Sequence, residues 1–225
     1  MSMTFNLYLV RHGETYLNKY DRMQGWSDAP LTTSGIEDAQ AAGERLQGVQ
    51  FAQAYSSDLS RARDTARTIL EQNRASMGLT EPEQLAAFRE VFFGGFEALK
   101  GPKVAAEVGQ QLGLANIKSY GDLTTQLTMN GTMDAFKELD PYHDAEDADE
   151  FWTRVQAGFE YIRQHAQDGD NILLVAHGTL IRNLVSQYES DQAAEEKPVN
   201  GMISVWQVSD QDLSLKAYND TTTIW

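Results

Sequence analysis

The chain contains no cysteine. That absence excludes disulfides, thiolate metal sites and a cysteine nucleophile together. Long apolar runs are also missing. No stretch reaches the roughly 20 residues that a membrane-spanning helix needs, so no membrane partner is expected. No basic stretch leads into a long apolar one at the start, so a secretory leader is not expected and the expected location is the cytoplasm. Positive charge is scarce, with 18 Lys and Arg against 33 Asp and Glu and a net charge of −15. No run of Lys or Arg occurs, which argues against nucleic acid as a partner. An acidic surface repels anions at long range, so an anionic ligand would have to be drawn in by a few arginines gathered in a pocket. Histidine is rare as well, with only His12, His143, His165 and His177.

Two of those histidines sit in matching contexts. Leu7-Tyr8-Leu9-Val10 reads as a short buried strand and runs into Arg11-His12-Gly13-Glu14-Thr15. Far downstream, Ile172-Leu173-Leu174-Val175 runs into Ala176-His177-Gly178-Thr179. Two strand-end histidines meet if the strands are neighbours. Only the first has an arginine before it, which marks one for the chemistry and the other for assistance. His143 and His165 fall in polar segments and read as surface residues.

The rest of the pattern is an alternation of strands and helices. Strands are expected at 6–10, 51–56, 85–88 and 171–175, with a late pair at 202–208 and 213–218 joined through Asp210-Gln211. Helices are expected at 36–46, capped by Thr32 or Ser34, at 59–72, capped by the Ser57-Asp58 pair, and at 153–167 and 180–188. Such alternation predicts one α/β domain spanning 1–225, a three-layer α/β/α sandwich around a mostly parallel sheet. Residues 97–150 fit the alternation poorly and are expected to form a helical and loop insertion, a lid over the carboxyl ends of the strands. Ligands in open α/β sheets bind at those ends, where His12, His177 and the helix start at Ser57–Arg61 all fall.

A neutral imidazole is a nucleophile. A phosphoryl group in transfer spreads negative charge over its equatorial oxygens. Guanidinium groups answer that charge with forked hydrogen bonds, each worth on the order of 1.5–3 kcal/mol, and lysine lacks the fork. Taken singly, a strand-end histidine is usually structural and an arginine at a helix start usually solvated. Arg11, His12, Arg61 and His177 carry meaning as a set.

With these segments in view, the chain resembles the histidine phosphatase superfamily, in its phosphoglycerate-mutase-like branch with the Arg-His-Gly signature. Arg11-His12-Gly13-Glu14-Thr15 with Asn18 is similar to the opening motif. Gln24-Gly25-Trp26-Ser27-Asp28-Ala29-Pro30-Leu31-Thr32 with Gly35 resembles the next segment, and Ser56-Ser57-Asp58-Leu59 with Arg61-Ala62 and Thr65-Ala66 the one after it. Arg89-Glu90 with Gly94 and Glu97 resembles the segment of the proton donor, and Val175-Ala176-His177-Gly178 the closing motif. The resemblance covers about 5–98 and 150–208, without the insertion between them.

It implies His12 as the nucleophile forming a phosphohistidine, with Arg11, Arg61 and His177 holding the phosphoryl group. Glu90 would protonate the leaving oxygen and then activate water. Asn18, Gln24, Gly25 and Gly178 are implied as further phosphate or substrate contacts. No metal and no cofactor are implied, and the partner would be a small phosphorylated molecule. A monomer and a homodimer both stay open. The mutase branch carries a tyrosine and a glycine close after the donor glutamate. Here Val91-Phe92-Phe93-Gly94 follows Glu90, without that tyrosine, so a phosphatase is expected first, a mutase second and a non-catalytic phosphate-binding regulatory protein third. Ala98 departs from the phosphatase branch, which has glycine after the position of Glu97, and bears on the local turn. Phe92, Phe93 and Phe96 are expected either to wall in Glu90 or to pack the core.

Overall fold

In the computed structural model, residues 3–210 and 212–225 are described. Six strands form one sheet in the order β3-β2-β4-β1-β5-β6. They are β1 (Thr4–Arg11), β2 (Gln53–Ser56), β3 (Glu83–Gln84), β4 (Asn171–Ala176), β5 (Ile203–Ser209) and β6 (Leu213–Asp220). The β1–β4, β2–β4 and β2–β3 pairs are parallel. β5 runs antiparallel to both its neighbours, so it alone points the other way. Eight helices accompany the sheet among the described residues: α1 (Tyr16–Lys19), α2 (Thr33–Arg45), α3 (Ser60–Gln72), α4 (Gly101–Gln111), α5 (Tyr120–Leu139), α6 (Ala148–His165), α7 (Gly178–Tyr188) and α8 (Asp191–Ala194). None is long and apolar enough to cross a membrane among the described residues.

Period-two alternation divides the core. Val10, Leu173 and Val175 meet Ala42 of α2, Leu46 at its C-cap, and Ala66 and Ile69 of α3 on one face. Leu9, Ile172 and Leu174 meet Phe159 and Ile162 of α6 and Leu184 and Val185 of α7 on the other. A strand covered on both faces reads as a continuous apolar run, which is why β1 and β4 stand out in the sequence. The result is the three-layer α/β sandwich that the alternation predicts.

Three local expectations are corrected. Residues 85–88 are not a strand: pairing stops at Gln84 opposite Ser56, and Ala86–Phe88 form a 3-10 turn. The turn carries Phe88 inward, fully buried, edge-on to Phe159 at 5.4 Å. Ser57 and Asp58 do not cap α3, whose N-cap is Leu59 without a side-chain bond. Asp28 serves instead, its Oδ2 accepting from the Ser60 amide at 2.5 Å. α6 begins at Ala148, five residues earlier than expected, behind an Asp147–Glu150 capping box. Residues 97–150 are helices joined by loops, as expected, and hold α4, α5 and the start of α6. Their pattern is hard to read because α5 breaks at Thr128 (φ 67°, ψ 173°) and restarts behind it. Thr32 does cap α2, accepting from Gly35 N at 3.0 Å. β5 and β6 form the late antiparallel pair, and Gln211 of the expected connection lies outside the described residues.

Candidate active site

β1 and β4 are parallel neighbours with Arg11 opposite Ala176. His12 and His177, each the next residue, therefore leave the sheet at the same height, and their rings stand 5.1 Å apart. Nδ1 of His12 is 2.8 Å from the Gly13 carbonyl. A carbonyl only accepts, so Nδ1 carries the hydrogen and Nε2 keeps its lone pair. Arg61 Nε donates toward that lone pair at 3.2 Å. Burial, then the charges of Arg61 and Arg11, hold the His12 pKa well below its ordinary value. The imidazole is thus neutral and nucleophilic at Nε2.

Arg61 sits in the first turn of α3 and is fully buried. Its Nη2 donates to the Gly25 carbonyl at 2.7 Å, and its Nη1 to the Ser27 carbonyl at 3.0 Å and Asp28 Oδ1 at 3.2 Å. Burial lowers its pKa, opposed by Asp28 and Glu90. Arg11 is half-buried, with Nη1 on the Pro198 carbonyl at 2.5 Å. Burial brings its pKa down to about 10, so it stays charged at neutral pH. Its Nε is buried without a protein partner. Gly178 lies against that atom: a Cβ there would stand 3.1 Å from it.

Glu90 is 5% exposed. Its Oε2 accepts from Thr179 N at 2.8 Å, and its Oε1 from Leu180 N at 2.9 Å and Val91 N at 3.0 Å. The carboxyl thereby satisfies the first free amides of α7, directly after His177, at the positive end of the helix. Burial raises its pKa and outweighs the three amides and Arg61, which favour the anion. His177 Nε2 is 2.6 Å from Ser57 Oγ, and its Nδ1 is buried without a protein partner. Burial, followed by Arg61, lowers its pKa well below the usual value.

The remaining predicted residues lie around this set. Gly25 cannot carry a side chain, because a Cβ would meet the Val91 carbonyl at 2.1 Å and Glu97 Oε1 at 2.2 Å. Gln24 Oε1 accepts from Thr15 Oγ1 at 2.5 Å, and its Nε2 is buried without a partner. Asn18 is half-buried and closes the capping box of α1, accepting from Thr15 N at 3.3 Å. That role differs from direct contact with His12 or the arginines. His143 and His165 are exposed. Phe93 and Phe96 pack on Phe136 at 5.5 and 5.2 Å, and Phe92 stacks on Trp26 at 4.8 Å. Phe93 and Phe96 thus belong to the core.

Sequence reasoning gave no role to several supporting residues. Glu97 binds four amides, those of Gly25, Trp26, Ser27 and Phe93, at 2.9–3.1 Å. It shapes the loop whose carbonyls hold Arg61. Asp28 pairs with Arg61, Thr65 Oγ1 accepts from Gly13 N at 3.0 Å, and Asn200 Nδ2 donates to the His12 carbonyl at 2.8 Å. For Glu97, Asp28 and Thr65 the signal was their place inside the matching motifs. For Asn200 there was none.

The structure thus gathers a buried neutral imidazole, two guanidinium groups and a carboxyl of raised pKa at a helix start, a set whose chemistry suits phosphoryl transfer. The family model for the histidine phosphatase superfamily (branch 1) matches residues 7–221. The chain belongs to that superfamily. A crystal structure of phosphoglycerate mutase from Bacillus anthracis superposes with TM-score 0.89 at 32% identity, over 98% of this chain and 95% of that one. The 2,3-bisphosphoglycerate-dependent phosphoglycerate mutase of Bartonella tribocorum is 32% identical over 189 residues, 81% of each chain. Fructose-2,6-bisphosphatase TIGAR of Mus musculus is 51% identical over 71 residues, 31% of this chain and 26% of that one. Superfamily membership thus joins the chain to relatives named as mutases and as phosphatases.

Proposed function

We propose that this protein is a metal-independent phosphatase acting on a small phosphomonoester through a phosphohistidine. His12 Nε2 attacks phosphorus, the P–N bond forms and the ester P–O bond breaks. Glu90 gives its proton to the departing oxygen. Glu90 then takes a proton from water, whose oxygen attacks phosphorus. The P–N bond breaks, inorganic phosphate leaves, and Glu90 is again protonated. Arg11 and Arg61 neutralise the group in flight, and His177 is its remaining polar neighbour. The observation that carries this reading is the His12 ring, with Nδ1 on the Gly13 carbonyl and the Nε2 lone pair turned to Arg61. Hydrolysis is favoured over return of the group to substrate because Val91-Phe92-Phe93 lacks the tyrosine of the mutase branch.

A second reading, phosphoglycerate mutase, is favoured by the names of relatives that match over most of the chain. We read residues 97–150 as a lid within a single domain. Supporting that, Phe136 of α5 packs on Phe93 and Phe96, and Arg182 of α7 donates to Thr124 of α5 at 3.0 Å.

One assay separates the readings. The wild-type protein is expected to release phosphate from an aryl phosphate without added metal. A mutase would instead interconvert phosphoglycerates in the presence of 2,3-bisphosphoglycerate, and a binder would do neither. His12→Ala is expected to abolish turnover together with acid-labile, base-stable phosphate labelling. Wild-type-like turnover in that variant would falsify the mechanism.

A further inference from the structure

Glu90 lies in backbone with no ladder of its own: residues 89–93 belong to neither helix nor strand. Such a segment keeps its place only through bonds from outside. Arg154, in the second turn of α6, supplies two of them and a third to the 3-10 turn just before. Nη1 donates to the carbonyls of Ala87 and Arg89, both at 2.8 Å, and Nη2 to the carbonyl of Glu90 at 2.9 Å. Glu146, just before α6, completes the clamp. Its Oε1 accepts from Arg154 Nε at 2.5 Å and its Oε2 from Nη2 at 2.7 Å. Glu146 also bonds the far side of the same segment: Oε2 accepts from Phe92 N at 3.3 Å, and its own amide donates to the Phe92 carbonyl at 2.9 Å. One ion pair therefore grips the chain on both sides of Glu90. The two side chains are 17% and 7% exposed.

Desolvation largely cancels the attraction of a buried ion pair, so apolar replacements are often neutral for stability. What such a pair supplies is geometry, and a misplacement of about 1 Å costs up to a hundredfold in rate. We propose that Arg154 and Glu146 are positioning residues that set where the Glu90 carboxyl meets the leaving oxygen. The planar fork is essential to this, because all five of its N–H groups are engaged, on three carbonyls and both Glu146 oxygens, and the three donors of a lysine cannot replace them. The proposal rests on the acid role given to Glu90 above.

Three proteins test it: Arg154→Lys, the double variant Arg154→Met/Glu146→Leu, and Glu90→Gln as reference. Turnover is measured on aryl phosphates of graded leaving-group acidity and on an alkyl phosphate, with vanadate affinity alongside. The clamp variants are expected to lose about ten- to a hundredfold on the alkyl phosphate and less than about threefold on the most acidic phenol. Vanadate binding should hold, because Arg11, Arg61 and His177 are untouched. Equal loss on every leaving group, or a wild-type profile in a folded variant, overturns the proposal.

A readout independent of turnover is amide hydrogen exchange at Thr179 and Leu180, the donors to the Glu90 carboxyl. Exchange is expected to quicken there and not at amides further along α7. Unchanged or uniformly altered exchange also overturns the proposal. If the wild-type protein releases no phosphate, the phosphatase reading fails and the exchange result alone decides the clamp.

Discussion

His177 depends on one hydroxyl for its form. Ser57 Oγ and Nε2 of the neutral imidazole share a hydrogen bond at 2.6 Å; in the tautomer that suits the proposed reaction the hydroxyl donates and Nδ1 carries the ring hydrogen. Nδ1 has no partner in the protein, and a bound phosphoryl oxygen is the acceptor that the proposed reaction would bring. Ser57→Ala is expected to slow turnover about tenfold, the loss of roughly one hydrogen bond, and to change the tautomer read from the ¹⁵N shifts of His177. An unaltered tautomer would remove Ser57 from this role. At this scale His12, Arg11 and Arg61 were legible because each follows an apolar run or opens a helix. Asp28, Glu97 and the Arg154–Glu146 pair were not legible as a framework. Each partner stands tens of residues from the group it holds, and a charge looks solvated until the chain is folded.

Ala98 shows how an element records a departure from pattern. It sits at φ 61°, the left-handed region, with its amide on the Met23 carbonyl at 2.9 Å and its carbonyl taking Arg22 Nη1 at 2.6 Å. The turn that favours glycine is thus kept with a Cβ in place, at a cost of about 1–2 kcal/mol. Ala98→Gly is expected to stabilise the protein by about 0.5–1 kcal/mol once glycine's greater freedom in the unfolded chain is subtracted. The denaturant midpoint measures this, and a lower midpoint would refute it. Long elements buried on two faces, such as β4, or carrying one apolar stripe, such as α3, were readable from periodicity. The short ones were not: Leu85 to Phe88 has the composition of a strand, but Phe88 turns inward because the space beside Gly158 takes its ring, where a Cβ on that glycine would stand 2.8 Å from it.

Across the whole molecule, the buried imidazoles tie stability to pH. His12 and His177 both titrate well below the ordinary value in the folded protein. Below about pH 6.5 the unfolded chain takes up protons that the native state refuses, so stability falls as pH falls. Between pH 7 and 5.5 each imidazole is expected to remove roughly 1 kcal/mol. Glu90 and Asp38, raised in the native state, act in the opposite sense, but from ordinary values that lie below this pH range. Urea midpoints across this range should decline, and His177→Asn should flatten the decline. A flat wild-type curve would contradict the burial of both rings as neutral groups.

The strand order has a temporal side. β1 is the first strand made, yet its neighbours in the sheet are β4 and β5, and Asn6 pairs with Asn171. Closing so long a loop is slow, and contacts of this kind delay folding. At about 5–20 residues per second of synthesis, His12 waits on the order of ten seconds or more on the ribosome before His177 exists. Throughout that interval a nascent chain carries the Arg-His-Gly segment without the second imidazole beside it.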